Sequence, residues 1–231
     1  MLAACGYNLK LYNFDKELQE SGTMKKKNNA PNTSLDWSSL DPNLIVTSSV
    51  DTTCSVWDIT TMRTRTQLIA HDKEVFDVAF SPQSPHIFVS VGSDGSLRMF
   101  DLRSLEHSTI MYENSESNSL LAVDWNPLDP FFISCIADQT SSAIVLDTRV
   151  SSVPVAVLQT EAQPNQICWS TANSAHLMTG DRNGMAMIWE LNNSTDTPIL
   201  CYRFPGSVDR MSWKGNSLAA SIDKSVHIIN I

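Results

Sequence analysis

Five histidines, five cysteines and abundant Ser and Asp give the 231-residue chain raw material for nucleophilic or metal chemistry. A Ser-His-Asp triad is easy to draw from such a set. Nucleophilic catalysis of that kind needs its Ser presented on a built turn, and no G-x-S-x-G elbow occurs. There is no Walker loop to cradle phosphates and no H-E-x-x-H pair to hold zinc on one helix face. His86 and His176 stand at the approach to apolar runs and His227 lies within one, so a place in a repeat accounts for them better than metal ligation. Cys5, Cys54, Cys135, Cys168 and Cys201 are scattered, odd in number and free of any C-x-x-C pair. Neither a disulfide framework nor a zinc knuckle is suggested, and a reducing compartment is the simplest reading.

Composition closes off further classes. With 42% hydrophobic and 18% charged residues the chain is neither disordered nor collagen-like. Its 16 Lys and Arg against 25 Asp and Glu leave a net charge of -9, which argues against a generic binder of phosphate backbones. Any association with DNA is expected to run through a partner. No apolar run reaches the roughly 18 residues of a membrane span, and Met1-Leu-Ala-Ala-Cys-Gly lacks the charged and apolar regions of a signal peptide. A soluble protein of the cytoplasm and nucleus, without a cofactor, is the expectation.

The elements that carry these residues are legible in the aromatics. Trp37, Phe80, Trp125, Trp169 and Trp213 follow one another at intervals of 43, 45, 44 and 44 residues, which is a repeat. A second series, offset by about half a repeat, runs Tyr12, Trp57, Phe100, Leu146, Trp189 and Ile229. Six residues before each of these except Leu146 stands a turn residue, Gly6, Asp51, Asp94, Asn183 or Asp223. For Leu146 the turn residue Asp138 stands eight back, as if two residues were inserted in Gln139-Thr140-Ser141-Ser142. Within a repeat, short apolar runs separated by Asp, Asn, Gly, Ser and Pro predict strands and turns, with no helical period. Residues 76–80, 87–91, 97–100 and 108–112 make four antiparallel strands, and Ser93-Asp94-Gly95-Ser96 supplies a hairpin turn in which Gly95 can take a positive φ. The runs are more apolar than a one-sided sheet needs, so each small sheet should be covered on both faces.

A period of roughly 40 to 45 residues with four strands is the signature of a propeller blade. Ser55-Val56-Trp57-Asp58, Met99-Phe100-Asp101 and Met187-Ile188-Trp189-Glu190 resemble the terminal Trp-Asp dipeptide of the WD-repeat family, and Ala70-His71-Asp72 resembles its Gly-His element. In that family a His, a Ser or Thr, an Asp and the Trp form a hydrogen-bonded tetrad that locks a blade. The resemblance gives those places to His71, Ser90 and Asp94, with Phe100 in the Trp place. Thr47, Asp51 and Trp57 match in the preceding repeat and Thr179, Asn183 and Trp189 in a later one, both without the His. Phe100 has no indole N–H, so its tetrad can be at most three-membered. A buried Asp needs donors and a His supplies them without catalysing anything, so these groups read as structural.

Strand by strand, repeat units fall near 1–28 (partial), 33–70, 75–113, 120–159, 165–204 and 207–231 (partial), within a single incomplete domain over 1–231. They hold 22 strands, where a seven-bladed ring of four-stranded blades needs 28. The expected fold is an all-β WD-repeat propeller on a seven-bladed plan, with about five and a half blades present as an open arc. With it goes the expectation that the chain is a shortened version of a longer relative. A closed six-bladed ring is the competing geometry; it leaves one blade without its inner strand and another without its outer one. The runs Lys25-Lys26-Lys27-Asn28-Asn29, 115–119 and 192–196 read as exposed loops.

Longer stretches narrow the resemblance. Residues 48–54, 67–75, 93–103 and 105–110 look very like one WD-repeat subfamily: the DDB- and cullin-associated factors that act as kinase scaffolds, and their plant relatives, the anthocyanin regulators of the transparent-testa-glabra type. The resemblance implies a noncatalytic scaffold that holds protein kinases or MYB and basic helix-loop-helix transcription factors. The alternative it implies is a substrate receptor of a cullin-RING ubiquitin ligase, docked on the DDB adaptor through Trp-Asp-x-Arg. Phe100-Asp101-Leu102-Arg103 and Leu146-Asp147-Thr148-Arg149 fit that motif without its Trp. Asp101, Arg103, Asp147 and Arg149 are therefore candidate docking residues, while each Arg could equally cap a turn by pairing with its local Asp. The loop Asp72-Lys73-Glu74 and the turn at Asp94 are further expected contacts. A propeller hydrolase ranks last, although fold alone does not exclude one.

Overall fold

A computed structural model describes residues 1–15, 17–26, 28–192, 197–222 and 224–230. Lys27 of the basic run, residues 193–196 of the last linker, the turn residue Asp223 and Ile231 lie outside the described residues. The chain divides into two compact parts, Met1–Ile110 and Met111–Ile231.

In the first part, blade A is a sheet of β1 (Leu2–Cys5), β2 (Asn8–Phe14) and β3 (Leu18–Lys25) in that order. Blade B follows with β4 (Asn32–Trp37), β5 (Leu44–Ser49), β6 (Thr53–Asp58) and β7 (Arg63–Ile69). Blade C is built from β8 (Val75–Phe80), β9 (Ile87–Gly92), β10 (Ser96–Asp101) and β11 (Ser104–Glu113), the last of which leads into the second part. Every residue of β5 is buried, because successive side chains leave a strand on opposite faces and both faces are covered. Ile45 and Trp57 pack with Leu9, Leu11 and Met24 of blade A. Leu44, Val46, Cys54 and Val56 pack the other way, with Val78, Phe80, Phe88 and Phe100 of blade C.

The second part repeats the scheme. Blade D holds β12 (Leu120–Trp125), β13 (Phe132–Ala137), β14 (Ser142–Asp147) and β15 (Val150–Gln159). Blade E holds β16 (Pro164–Trp169), β17 (His176–Asp181), β18 (Met185–Glu190) and β19 (Leu200–Arg203). Blade F has β20 (Val208–Lys214), β21 (Ser217–Ile222) and β22 (Ser225–Asn230). Along β18, Met185, Met187 and Trp189 face the core shared with blade D, while Ala186 and Ile188 face the one shared with blade F.

The described residues thus form six sheets, four of four strands and two of three. This corrects the expected seven-bladed open arc of five and a half blades: the blade number is six, that of the competing geometry. The first and last repeats, fractions of a blade by strand count, are each a sheet of three strands. Three antiparallel strands suffice for a blade once a neighbour covers an apolar face. Leu9, Leu11 and Met24 bring blade A onto blade B, and Leu218, Ala220 and Ile222 bring blade F onto blade E. Among the described residues no helix is long and apolar enough to cross a membrane.

Candidate functional site

The strongest candidate for chemistry lies in blade C. His71, on the loop before β8, places Nε2 2.7 Å from Ser90 Oγ on β9 and Nδ1 2.9 Å from Asp94 Oδ1 in the β9–β10 turn. That is the connectivity of a Ser-His-Asp relay. It is sealed, however: Ser90 is 0% and His71 1% exposed, so no substrate can reach the hydroxyl. Gly92 makes room for the imidazole, since a Cβ there would come within 3.0 Å of the ring and 2.8 Å of Glu74 O. Asp94 also accepts the Ser96 backbone N–H at 3.1 Å, the Ser96 hydroxyl at 2.8 Å, the Asp72 N–H at 3.2 Å and Arg98 Nη2 at 3.1 Å. Burial alone would raise this carboxyl, but His71 and the other donors outweigh it and hold it well below the ordinary range.

Phe100 offers Ser90 no donor and instead stacks on Phe88, with centroids 5.0 Å apart at 10°. Besides His71, the Ser90 hydroxyl meets Cys54 from blade B, whose thiol burial pushes up to about 12 despite that hydrogen bond. Nothing in the repeat pattern singled Cys54 out.

In blade B, Trp57 Nε1 donates to Thr47 Oγ1 at 2.9 Å, with both residues fully buried. Asp51 completes the cluster through Lys26, whose Nζ lies 2.9 and 2.8 Å from the two carboxylate oxygens. The Lys26 side chain is only 2% exposed, so the reading of this part of the basic run as a solvated loop is wrong. Burial would raise the Asp51 carboxyl, but hydrogen bonds from Lys26, Thr53 and Ser49 bring it down to about 2. A signal was available: Lys26 precedes Asp51 by 25 residues, much as His71 precedes Asp94 by 23.

Blade E keeps the indole bond, Trp189 Nε1 to Thr179 Oγ1 at 3.0 Å. It does not bring Asn183 into the cluster. Asn183 is exposed, and its backbone N–H donates at 2.9 Å to Asp181, the buried carboxylate that organises this turn. In blade D, Leu146 is buried in the Trp place, and Asp138 accepts a hydrogen bond from the Gln163 amide.

Two further carboxylates tie neighbouring blades. Asp36 accepts the Trp37 N–H at 2.9 Å and, from the next blade, the Phe80 N–H at 2.6 Å. Asp124 repeats this with Trp125 at 3.0 Å and Trp169 at 2.8 Å. Burial pushes the Asp36 carboxyl up to about 6 against the pull of those two amides. Sequence reasoning missed the pair because Asp on a strand reads as solvent-facing; the repeated dipeptides Asp36-Trp37 and Asp124-Trp125 were the available clue.

The candidate docking residues form two copies of one motif. Arg103 donates through Nε at 2.9 Å and Nη2 at 2.6 Å to Asp101, and its own backbone N–H donates to the same carboxylate at 2.9 Å. Arg149 does the same with Asp147 at 2.9, 2.6 and 2.9 Å. The turn cap is therefore formed at both places, with Arg side chains 64% and 56% exposed. The Arg103 hydrogen bond holds Asp101 at about 2, and Arg149 lowers Asp147 likewise. Arg149 also lies over the Phe131 ring, 4.3 Å from its centroid. Each guanidinium has more N–H donors than its Asp uses, and those that remain are available for other contacts.

The remaining reactive groups are dispersed. Among the described residues no group of three or more His, Cys, Asp or Glu is set to hold a metal ion. Cys54, Cys135 and Cys168 are buried free thiols, and burial pushes Cys135 up to about 12, which leaves it protonated at neutral pH. His176 stacks on Trp213 at 6.3 Å and His227 contacts Ser225 at 3.0 Å. Asp72, Lys73 and Glu74 are exposed, with Asp72 paired to Arg98 at 2.8 Å.

Comparison with known proteins agrees with this architecture. The family described as WD domain, G-beta repeat matches over residues 31–58, which hold β4–β6, and 62–101, which hold β7–β10. The chain is 42% identical over 209 residues to a DDB1- and CUL4-associated factor 7 homolog of Dictyostelium discoideum, a match covering 87% of this chain and 64% of that protein. It is 40% identical over 197 residues to a WD repeat-containing protein of Schizosaccharomyces pombe (77% and 45% covered). It is also 40% identical over 183 residues to one of Saccharomyces cerevisiae (71% and 35% covered). The chain thus spans between about a third and two thirds of the length of these relatives. Blades of this build and matches of this extent make the chain a WD-repeat protein.

Proposed function

We propose that the chain is a noncatalytic adaptor that holds other proteins together. The observation that carries this reading is the sealed cluster of blade C: among the described residues, the His with nucleophile-relay connectivity spends both ring nitrogens on the blade itself. What faces solvent is a set of charged groups on rigid strand ends, suited to partner contact. The likeness to a DDB1- and CUL4-associated factor 7 homolog supports the same reading. By the narrower resemblance to kinase scaffolds and transparent-testa-glabra-type regulators, the partners are protein kinases or MYB and basic helix-loop-helix factors, met in cytoplasm and nucleus without a cofactor. Purified kinase, MYB and basic helix-loop-helix proteins passed over the immobilised chain should be retained; retention of none of them removes the reading.

A second reading, a substrate receptor on the DDB adaptor of a cullin-RING ligase, is favoured by the exposed forks of Arg103 and Arg149. Co-precipitation with the purified adaptor should fall at least about tenfold in Arg103→Ala plus Arg149→Ala, a size expected for lost charged contacts at an interface. Undiminished binding would sink that docking mode.

A further inference from the structure

Arg182, Arg203 and Arg210 gather at one end of blades E and F. Arg182 lies in the β17–β18 turn; Met185, which opens β18, pairs with Arg203, which ends β19. At the same end the start of β16 carries a bulge, with Asn165 as the extra residue between the pairs Pro164↔Asp181 and Gln166↔Gly180. Such a bulge turns two consecutive side chains to the same side. Both are used to hold arginines: Arg182 Nε donates to Asn165 Oδ1 at 2.9 Å, and Arg210 Nη1 lies 3.5 Å from Gln166 Oε1. The Asn165 amide also reaches Ser207 Oγ and Val208 O at 3.3 Å, fastening the approach to β20 to the same point.

The chemistry of the holders matters. Arg203 is met by a carboxylate, Glu161, at 3.3 Å. Arg182 and Arg210 are held by neutral amides, which fix the guanidinium forks without cancelling their charge, and both residues are exposed. Two oriented forks complement a compact dianion with several acceptor oxygens better than a single carboxylate. Glu161 and Asp209, both exposed, border the arginines with negative charge, as does the overall charge of -9. A long polyanion is repelled by such a border, whereas a point dianion on an extended chain is not.

We propose that Arg182 and Arg210, braced by the Asn165-Gln166 bulge, form a docking site for a phosphorylated serine or threonine in an extended segment of a partner protein. The inference rests on the adaptor reading and gives one class of partner its chemistry.

The test uses the purified chain and a fluorescent decapeptide library with phosphothreonine fixed at its centre, beside matching libraries with threonine or glutamate there. The phosphorylated library should bind at least about tenfold more tightly than the threonine one. Arg182→Gln plus Arg210→Gln should remove that preference, and the corresponding pair of Lys substitutions should restore only part of it, since the charge returns without the fork. Arg203→Gln should leave most of it. Equal binding of the three libraries, a preference that survives the double Gln variant, or tighter binding of a single-stranded oligonucleotide would overturn the assignment. Binding of purified DDB adaptor and of candidate kinases to the parent chain separates the two ideas. No phosphopeptide preference in a parent that retains those partners overturns this site alone; failure of those partners in a parent that shows the preference overturns the adaptor reading alone.

Discussion

Blades B and C lock the same hairpin with different halves of one device. Blade B keeps the indole, Trp57 to Thr47, and replaces the His by Lys26, which reaches Asp51 from the end of the preceding blade. Blade C keeps the His, joined to Ser90 and Asp94, and replaces the indole by Cys54, which reaches Ser90 from the neighbouring blade. Each substitute is borrowed from next door, so each lock is also a tie between blades. The fold therefore requires that the turn carboxylate and the inner hydroxyl be satisfied, and leaves open which residue does so.

If satisfaction is what matters, the effect of a substitution should follow the number of groups it strands. Asp94 is the most demanding case, with acceptor oxygens serving His71, Ser96, Asp72 and Arg98 at once. Asp94→Ala strands a buried imidazole and several donors and should cost about 3–5 kcal/mol in denaturant unfolding. A loss below about 1 kcal/mol would show that the cluster is dispensable.

Lys26→Met should come next, at about 2–3 kcal/mol, because it leaves the Asp51 carboxylate with the Thr53 backbone N–H and hydroxyl as its main donors. It has a pH signature. The Asp51 carboxyl is held at about 2 against an ordinary 3.8, so its stabilisation is complete above pH 4 and is lost as pH falls from there toward 2. Removing Lys26 raises the folded-state value and flattens that loss. Parallel acid-unfolding curves for parent and variant would contradict the pairing.

The contrast also explains what the sequence disclosed. Aromatic spacing carried the blades because each Trp or Phe sits at a fixed place in a strand, and that is local information. Trp57–Thr47 and Trp189–Thr179 follow from the same register, ten residues apart across one hairpin. Lys26, Cys54, Asp36 and Asp124 act across blades, so their partners are set by packing between repeats and not by any motif. Asn183 illustrates the opposite limit. It occupies the turn-Asp position of blade E, yet Asp181 two residues earlier already accepts the Asn183 and Met185 N–H groups and leaves it facing solvent. Blade number is not legible in the strand count for a related reason: whether three strands make a blade depends on a neighbour that strand counting does not see.

A smaller effect separates the two blades at the indole. Trp57→Phe makes blade B resemble blade C, where Phe100 is native, but Cys54 already serves Ser90 and offers Thr47 no replacement donor. The variant should lose about 2 kcal/mol, from one buried hydroxyl left unsatisfied and the unfilled volume of the second ring. Phe100→Tyr or Phe100→Trp should not give the reverse gain, because Phe88 stacks against that ring at 5.0 Å and the core has no room to receive a larger one.

The smallest expected difference lies in the turns themselves, and here blade B is the strained one. Gly95 in blade C has φ of 77°, and Gly184 in blade E has 82°. The corresponding residue of blade B is Thr52, at φ of 69°, where a β-branched side chain crowds the following carbonyl. That conformation costs about 1–2 kcal/mol, and replacing Thr by Gly gives back roughly 0.5–1 kcal/mol through the freer unfolded chain. The turn's work is done by backbone, since Thr52 O accepts the Ala70 N–H at 2.9 Å and the His71 N–H at 3.2 Å, and glycine keeps both bonds. Thr52→Gly should therefore stabilise the protein by about 0.5–1 kcal/mol and raise its melting midpoint by roughly 1–3 °C, while Gly95→Ala lowers it. A midpoint that falls in Thr52→Gly would mean that the threonine side chain contributes more to blade B than its backbone strain costs.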